Sequence, residues 1–230
     1  MKFKNPFSSL TKFEWMLWGI SSVTVVLTQA FAPQGSIVSM LASLMGAAAL
    51  IFIAKGNVIG QILMIVFAIL YGIISYHFRY FGEMITYLGM SAPMAVLAAI
   101  SWIKHPYRDS DCVKVDRLTK GKISILCLLT LLVTVAFYLI LGALDTSNLV
   151  ISTVSVSTSF LAAALTYLRS PYYALGYAAN DVVLIVLWVL ASVVDISYLS
   201  MVVCFIMFLV NDLYGFINWR RMQRKQGQHL

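Results

Sequence analysis

The chain is dominated by long apolar segments that follow one another almost from its first residue to its last. Each is about 20 residues long, the length that an α-helix needs to cross the hydrocarbon core of a bilayer, about 30 Å. Backbone groups in lipid must form hydrogen bonds within their own segment, so we predict that these segments are helices. The candidate spans are 14–32, 36–54, 57–78, 82–103, 122–143, 149–168, 172–192 and 196–218.

The composition agrees with a membrane protein. Of 230 residues, 61% are hydrophobic and 11% are charged, whereas a soluble domain carries about 25% charged residues. We therefore predict an all-α membrane protein with seven or eight transmembrane helices. The sequence contains no P-loop, no His-Glu-x-x-His, no Gly-x-Ser-x-Gly and no Cys-x-x-Cys motif, so we expect neither an enzyme nor a bound metal or cofactor.

Positive charge is concentrated in alternate loops. An even number of spans places both termini on one side, and fifteen of the sixteen Lys and Arg residues then share that side, with Arg79 opposite. The positive-inside rule predicts that both termini and the 104–122 loop are cytoplasmic, in a multi-pass protein of the inner (plasma) membrane. The basic tail is typical of the flank of a last membrane helix, which disfavours nucleic-acid binding.

Internal similarity indicates a duplication. The Ala-Ala-Ala-Leu sequence at 47–50 recurs 115 residues later at 162–165, and Trp102 recurs 117 residues later as Trp219. We predict two three-helix repeats in parallel orientation around a connecting helix, with the substrate site between them. The predicted units are a tail and accessory helix (1–35), the first repeat (36–103), a cytoplasmic loop and connecting helix (104–148), the second repeat (149–219) and a basic tail (220–230).

Polar side chains inside the spans are candidates for substrate contact, because they are costly in hydrocarbon. Asp181 and Asn211 lie about 12 to 13 Å from the basic ends of their spans, counting 1.5 Å per residue. Asp212 points about a third of a turn away from Asn211, so the two cannot line the same wall. The predicted substrate-binding residues are Gln61, Tyr177, Asn180, Asp181, Trp188, Asn211, Asp212, Tyr214 and Asn218.

These candidates have structural alternatives. The asparagines could hold helices together by hydrogen bonds, and Tyr177, Trp102 and Trp219 stand where an interfacial aromatic belt is expected. Asp181 and Asp212 have no Lys or Arg at their depth in the sequence, so either a cationic substrate or a proton must neutralise them.

Two segments resemble the PnuC vitamin transporters: residues 80–84 (YFGEM), leading to Pro93 and Trp102, and residues 208–220 (FLVNDLYGFINWR). The similarity runs from about residue 40 to 222. It implies a 3+1+3 parallel repeat, similar to the SWEET sugar transporters, and places ligand contacts at Asn180, Asn211 and Tyr214. The Trp-x-x-Trp of many members is Tyr173-Ala174-Leu175-Gly176 here, so stacking on the ligand would fall to Trp188 or Tyr177.

The resemblance also implies the cargo. It predicts facilitated diffusion of nicotinamide riboside, coupled to a cytoplasmic kinase that traps it for NAD biosynthesis, and a homo-oligomer of which a trimer is one form. A pyridinium cation suits a buried Asp and aromatic faces. A phosphorylated cargo would need Lys or Arg in the cavity, and the sequence places none there, which disfavours such a cargo. Thiamine, a proton-coupled mechanism and a receptor or structural subunit without transport remain alternatives.

Overall fold

A computed structural model describes residues 6–31, 37–77, 81–108, 110–146, 148–194, 196 and 199–227. Those residues are mostly helical, and β-type pairing among them is limited to two isolated bridges. A short 3₁₀-helix at Pro6–Ser9 precedes the first long helix. The helices are α1 (Lys12–Phe31), α2 (Ile37–Ala54), α3 (Val58–His77), α4 (Phe81–Thr86), α5 (Ala92–Lys104), α6 (Lys120–Ala143), α7 (Leu149–Tyr167), α8 (Tyr173–Val194) and α9 (Leu199–Gly227).

The all-α membrane fold is confirmed. The described residues contain six helices that are long and apolar enough to cross a bilayer. Residues Met40–Ala54 of α2 form a shorter apolar stretch. The predicted span 82–103 consists of α4 and α5 joined by a π-helical turn at Tyr87–Ser91. Helix α1 is not among the six. The predicted boundary between residues 35 and 36 lies outside the described residues.

Helix contacts follow a regular order along the chain. Helix α1 packs on α2, α2 on α3 and α3 on α5, while α6 packs on α7, α7 on α8 and α8 on α9. Contacts of α2 with α9 and of α5 with α7 join these two groups. Helix α1 also contacts α9, so it is packed into the helix bundle.

Two glycines permit close helix packing. A Cβ on Gly60 of α3 would lie 2.5 Å from the Ile53 backbone nitrogen, and a Cβ on Gly176 of α8 would lie 2.9 Å from Ala162 Cα. Small residues let helix backbones approach in this way, and the gain is van der Waals contact. Neither position therefore has room for a side chain without a shift of the neighbouring backbone.

Trp102 and Trp219 lie in the core, so their interpretation as belt residues is wrong. They are 2% and 0% exposed, and their ring centroids are 5.4 Å apart. Trp102 Nε1 donates to the Thr166 carbonyl (3.0 Å), and Trp219 Nε1 donates to the Ile53 carbonyl (2.8 Å). The same carbonyls also accept turn bonds from the Arg169 and Gly56 backbone nitrogens (3.0 and 2.8 Å), so each indole adds a second hydrogen bond at the end of α7 or α2.

Lys55, Lys104, Arg169 and Arg220 lie at one end of the bundle, which we call the basic end. There the loop between α5 and α6 is fixed through Asp116, which accepts hydrogen bonds from Lys122 Nζ (2.6 Å) and Arg169 Nη2 (3.2 Å). Partial burial opposes ionisation of Asp116, but these bonds, and one from the Arg117 backbone, outweigh it and hold the pKa of the carboxyl below its usual value. The ionised form of Asp116 therefore stabilises this end.

Candidate functional site

Two aspartates meet between α8 and α9. Asp181 and Asp212 are each 4% exposed, and their carboxyl groups lie within electrostatic range of each other. Like charges repel strongly where water is excluded, so ionisation of both carboxyl groups at once is disfavoured. No ion pair of the described residues involves either aspartate. Asp181 Oδ2 has no hydrogen-bond partner.

Tyrosine rings line the side of this pair toward the basic end. Tyr177, one turn before Asp181 on α8, lies within electrostatic range of both carboxyl groups. Tyr173 is buried, with its ring centroid 6.2 Å from that of Tyr177 and 4.9 Å from that of Trp219. The aspartates are thus screened from the basic end by aromatic rings.

Asn211 lies on the other side of α9, against α1. It is 2% exposed, and its Nδ2 donates to Ser21 Oγ (2.9 Å) and to the Met207 carbonyl (2.8 Å). Asn211 Oδ1 has no hydrogen-bond partner. Successive residues of a helix point about 100° apart, which is why Asn211 faces α1 while Asp212 faces α8.

Tyr214 is also held by α1. Its hydroxyl donates to Glu14 Oε1 (2.8 Å), and Glu14 Oε2 accepts from Lys55 Nζ (2.9 Å). Glu14 is buried and also completes a capping box with Thr11, whose backbone nitrogen donates to Glu14 Oε2 (2.7 Å). Asn211 and Tyr214 therefore face α1 and the turn between α2 and α3.

The other two asparagines bridge helices. Asn180 Oδ1 accepts from Thr158 Oγ1 (2.9 Å) and from Ser155 Oγ (3.2 Å) of α7. Asn218 Nδ2 donates to the Ala54 carbonyl (2.8 Å) at the end of α2. Both contacts are of the kind that joins transmembrane helices.

Gln61 and Trp188 complete the predicted set. Gln61 on α3 is 2% exposed, and its Nε2 has no hydrogen-bond partner. Trp188 is half-buried on α8, seven residues beyond Asp181 and farther from the basic end. Among the residues that the structure describes, no group of three His, Cys, Asp or Glu side chains could hold a metal ion.

Sequence reasoning missed the contribution of α1. Ser21 and Glu14 are separated from their partners on α9 by 190 and 200 residues, and no local pattern connects them. The Thr11-x-x-Glu14 spacing is a signature of a helix start, and it could have located the first residue of α1. It carries no information about Tyr214.

The comparisons with known proteins agree with this architecture. The nicotinamide riboside transporter PnuC of Neisseria mucosa is 27% identical over 231 residues, which cover 96% of this chain and 86% of that protein. The crystal structure of a vitamin B3 transporter PnuC superimposes with a TM-score of 0.79 at 23% identity, covering 95% of this chain and 94% of the other. That likeness shows a shared fold.

The sequence model of one family, described as nicotinamide mononucleotide transporter, matches residues 36–221. This range contains every predicted site residue, from Gln61 to Asn218, and excludes the whole of α1. The predicted resemblance to the PnuC proteins is confirmed, and with it the prediction that the chain is not an enzyme. The chain belongs to the nicotinamide mononucleotide transporter family and is a multi-pass membrane transporter.

Proposed function

We propose that this chain transports nicotinamide riboside by facilitated diffusion, and that a cytoplasmic kinase traps the cargo by phosphorylation for NAD biosynthesis. The similarity to a nicotinamide riboside transporter over 96% of the chain supports this cargo. The structure adds the chemistry of the buried polar atoms that lack partners.

Three predicted site residues carry such atoms: Gln61 Nε2, Asp181 Oδ2 and Asn211 Oδ1. Buried polar atoms are nearly always hydrogen-bonded in native proteins, so each one without a partner is a candidate for ligand contact. They comprise one donor and two acceptors on α3, α8 and α9, and Asn211 Oδ1 lies on the α1 side of α9, away from the aspartates. Nicotinamide riboside offers a carboxamide carbonyl to the donor, and an amide NH₂ and ribose hydroxyls to the acceptors. The observation that carries the proposal is the buried pair of Asp181 and Asp212, which no ion pair of the described residues neutralises.

The aspartates favour the nucleoside over its phosphate. A pyridinium cation beside Asp181 and Asp212 would supply the positive charge that the described residues do not provide. A phosphate group would meet two carboxyl groups instead, and like charges in a medium of low polarity repel strongly. We therefore propose nicotinamide riboside rather than nicotinamide mononucleotide as the cargo, with thiamine, also a cation, as the nearest alternative.

Stacking on the ligand falls to residues other than the Trp pair of many relatives. Position 176 is a glycine whose Cβ would lie 2.9 Å from Ala162 Cα, so an indole has no room there. Tyr177 and Trp188 share a stripe of α8 with Asp181. We propose that one of these rings stacks on the pyridinium.

Proton coupling is a second candidate mechanism. It is favoured by the carboxyl pair itself, because two buried carboxyl groups within electrostatic range can retain a proton that neutralises one of them. A cation that entered would displace that proton. Uptake into proteoliposomes under an imposed pH gradient distinguishes the mechanisms: accumulation above the external concentration supports coupling, and equilibration alone supports facilitated diffusion.

The architecture proposed with this function is a parallel duplication. Ser101, next to Trp102, donates through Oγ to the Tyr167 carbonyl (2.9 Å). In the same way Asn218, next to Trp219, donates through Nδ2 to the Ala54 carbonyl. This correspondence, with the helix order described above, supports two repeats. From the distribution of Lys and Arg, we propose that the protein lies in the inner membrane with both termini cytoplasmic. We also propose that it forms a homo-oligomer, such as a trimer.

Thermal stabilisation of the purified protein tests the cargo. Nicotinamide riboside, its neutral reduced form, thiamine, riboflavin and nicotinamide mononucleotide are compared at equal concentration. We expect the largest rise in unfolding temperature with nicotinamide riboside, because a ligand stabilises the folded state that binds it. A larger rise with the mononucleotide would contradict the charge argument.

A further inference from the structure

A second concave site lies at the basic end, away from the aspartates. It has a volume of about 480 Å³ and is lined by Arg117, Arg220, Gln223, Arg224 and Gly227. Arg117 belongs to the loop before α6, and the other four residues belong to the last turns of α9. More than a hundred residues therefore separate the two walls, and we call this cavity the arginine pocket.

The walls of the arginine pocket are held together by specific contacts. Gln226 Oε1 accepts from the Val115 backbone nitrogen (2.8 Å), and its Nε2 donates to the Val113 carbonyl (3.1 Å). Met222 fills the space beside Gly56, where a Cβ would lie 2.7 Å from its Cε. The end of α9 is thus docked on the loop, which makes the pocket a feature of the packed structure.

Within the described part of the chain, no carboxylate pairs with an arginine of the pocket. The ion pairs of the described residues join Lys55 to Glu14, and Lys122 and Arg169 to Asp116; none includes an arginine of the pocket. Asp116, adjacent to Arg117 in sequence, already pairs with Lys122 and Arg169. Arg220 donates to Gln223 Oε1 (2.7 Å) and lies 5.9 Å from the centroid of the exposed Tyr172 ring. Three guanidinium groups are left to attract an anion.

We propose that the arginine pocket binds a phosphate group. Guanidinium forks match the oxygens of phosphate in pairs, which an isolated ammonium group cannot do. The volume leaves space for the group attached to the phosphate, and two sources fit this chemistry. One is the headgroup of an anionic phospholipid, because α9 passes from apolar residues to Arg220 at the pocket, where a lipid headgroup would lie. The other is a water-soluble phosphate ester.

Three single variants test the proposal: Arg117→Gln, Arg224→Gln and Arg221→Gln. Arg221 is the matched control, because it is an exposed arginine of the same turn of α9 and does not line the pocket. Arg117 and Arg224 are also exposed, so we expect all three variants to fold. Their unfolding temperatures in phosphatidylcholine nanodiscs, in a buffer without inorganic phosphate, verify this.

The first arm uses inorganic phosphate as the soluble probe. Its dissociation constant is measured by thermal shift in detergent at constant ionic strength, with chloride as the balancing anion. For a soluble ester, phosphate stabilises the wild type and Arg221→Gln saturably, and Arg117→Gln and Arg224→Gln weaken that effect about tenfold, as loss of a charged hydrogen bond does.

The second arm uses nanodiscs that contain phosphatidylglycerol and phosphatidylcholine, followed by native mass spectrometry. For a lipid headgroup, the wild type and Arg221→Gln retain phosphatidylglycerol, and the two pocket variants lose it. An effect of Arg221→Gln equal to that of the pocket variants would mean a diffuse basic surface and would overturn the proposal. So would the absence of any preference for phosphate or phosphatidylglycerol in the wild type.

Discussion

Asn211→Ala and Ser21→Ala together separate the two contacts of Asn211. The Asn211 variant removes the unpartnered Oδ1 as well as the hydrogen bond from Nδ2 to Ser21. The Ser21 variant removes the bond to α1 and leaves Oδ1 in place. If Oδ1 accepts a hydrogen bond from the ligand, only Asn211→Ala should remove that contact directly.

The magnitudes follow from the environment of each atom. Loss of one buried hydrogen bond to the ligand should weaken binding by about 1–3 kcal/mol in Asn211→Ala. Ser21→Ala should cost about 0.5–1.5 kcal/mol of folding free energy, the net value of a neutral hydrogen bond, and leave binding almost unchanged. Isothermal titration with nicotinamide riboside measures the first quantity, and equilibrium unfolding in detergent measures the second.

Two results would refute this reasoning. Wild-type affinity in Asn211→Ala would remove Asn211 from the ligand site. Equal losses of affinity in both variants would mean that Asn211 acts only by positioning α1. A double variant that loses no more affinity than Asn211→Ala alone agrees with a direct contact.

Three further predictions concern charge, pH and packing. Asp181→Asn and Asp212→Asn should reduce the preference for cationic over neutral reduced nicotinamide riboside. Wild-type affinity for the cation should fall between about pH 8 and pH 5, because binding requires an ionised carboxylate; a flat profile in wild type and both variants would exclude charge pairing. Asp116→Asn should lower stability at neutral pH by at most about 1 kcal/mol, given its partial exposure. Because the folded-state pKa of Asp116 is lowered, the wild type should lose this advantage as pH falls through that pKa; equal unfolding midpoints at neutral pH would contradict it. Gly176→Ala should destabilise the protein by about 1–3 kcal/mol, whereas Gly121→Ala, which has open space around it, should not; thermal unfolding of the pair decides.

The helices could be predicted from the sequence because hydrophobic length and turn residues are local signals. Between the predicted spans, the sequence has the turn residues Lys55-Gly56-Asn57 and Arg169-Ser170-Pro171. These residues coincide with the turns after α2 and α7. Gly56 has a φ of +68°, and Arg169 has a φ of +55°, both in the left-handed region that ends helices.

The neighbours of the site residues could not be predicted, because each contact joins distant parts of the chain. The sequence placed Asp181 and Asp212 at similar depth, and the structure brings their carboxyl groups together. It also placed Trp219 beside basic residues, which is typical of a membrane interface, whereas the indole is buried against the end of α2. Depth follows from counting residues along one helix, but the direction of a side chain depends on which helix packs against it.

Uptake of labelled nicotinamide riboside into proteoliposomes that contain only the purified protein tests the central claim most directly. The account predicts saturable uptake that equilibrates without a gradient, is reduced in Asn211→Ala, and is not inhibited by nicotinamide mononucleotide at matched concentration. Uptake no faster than in protein-free liposomes, with the protein shown to be folded, would contradict it.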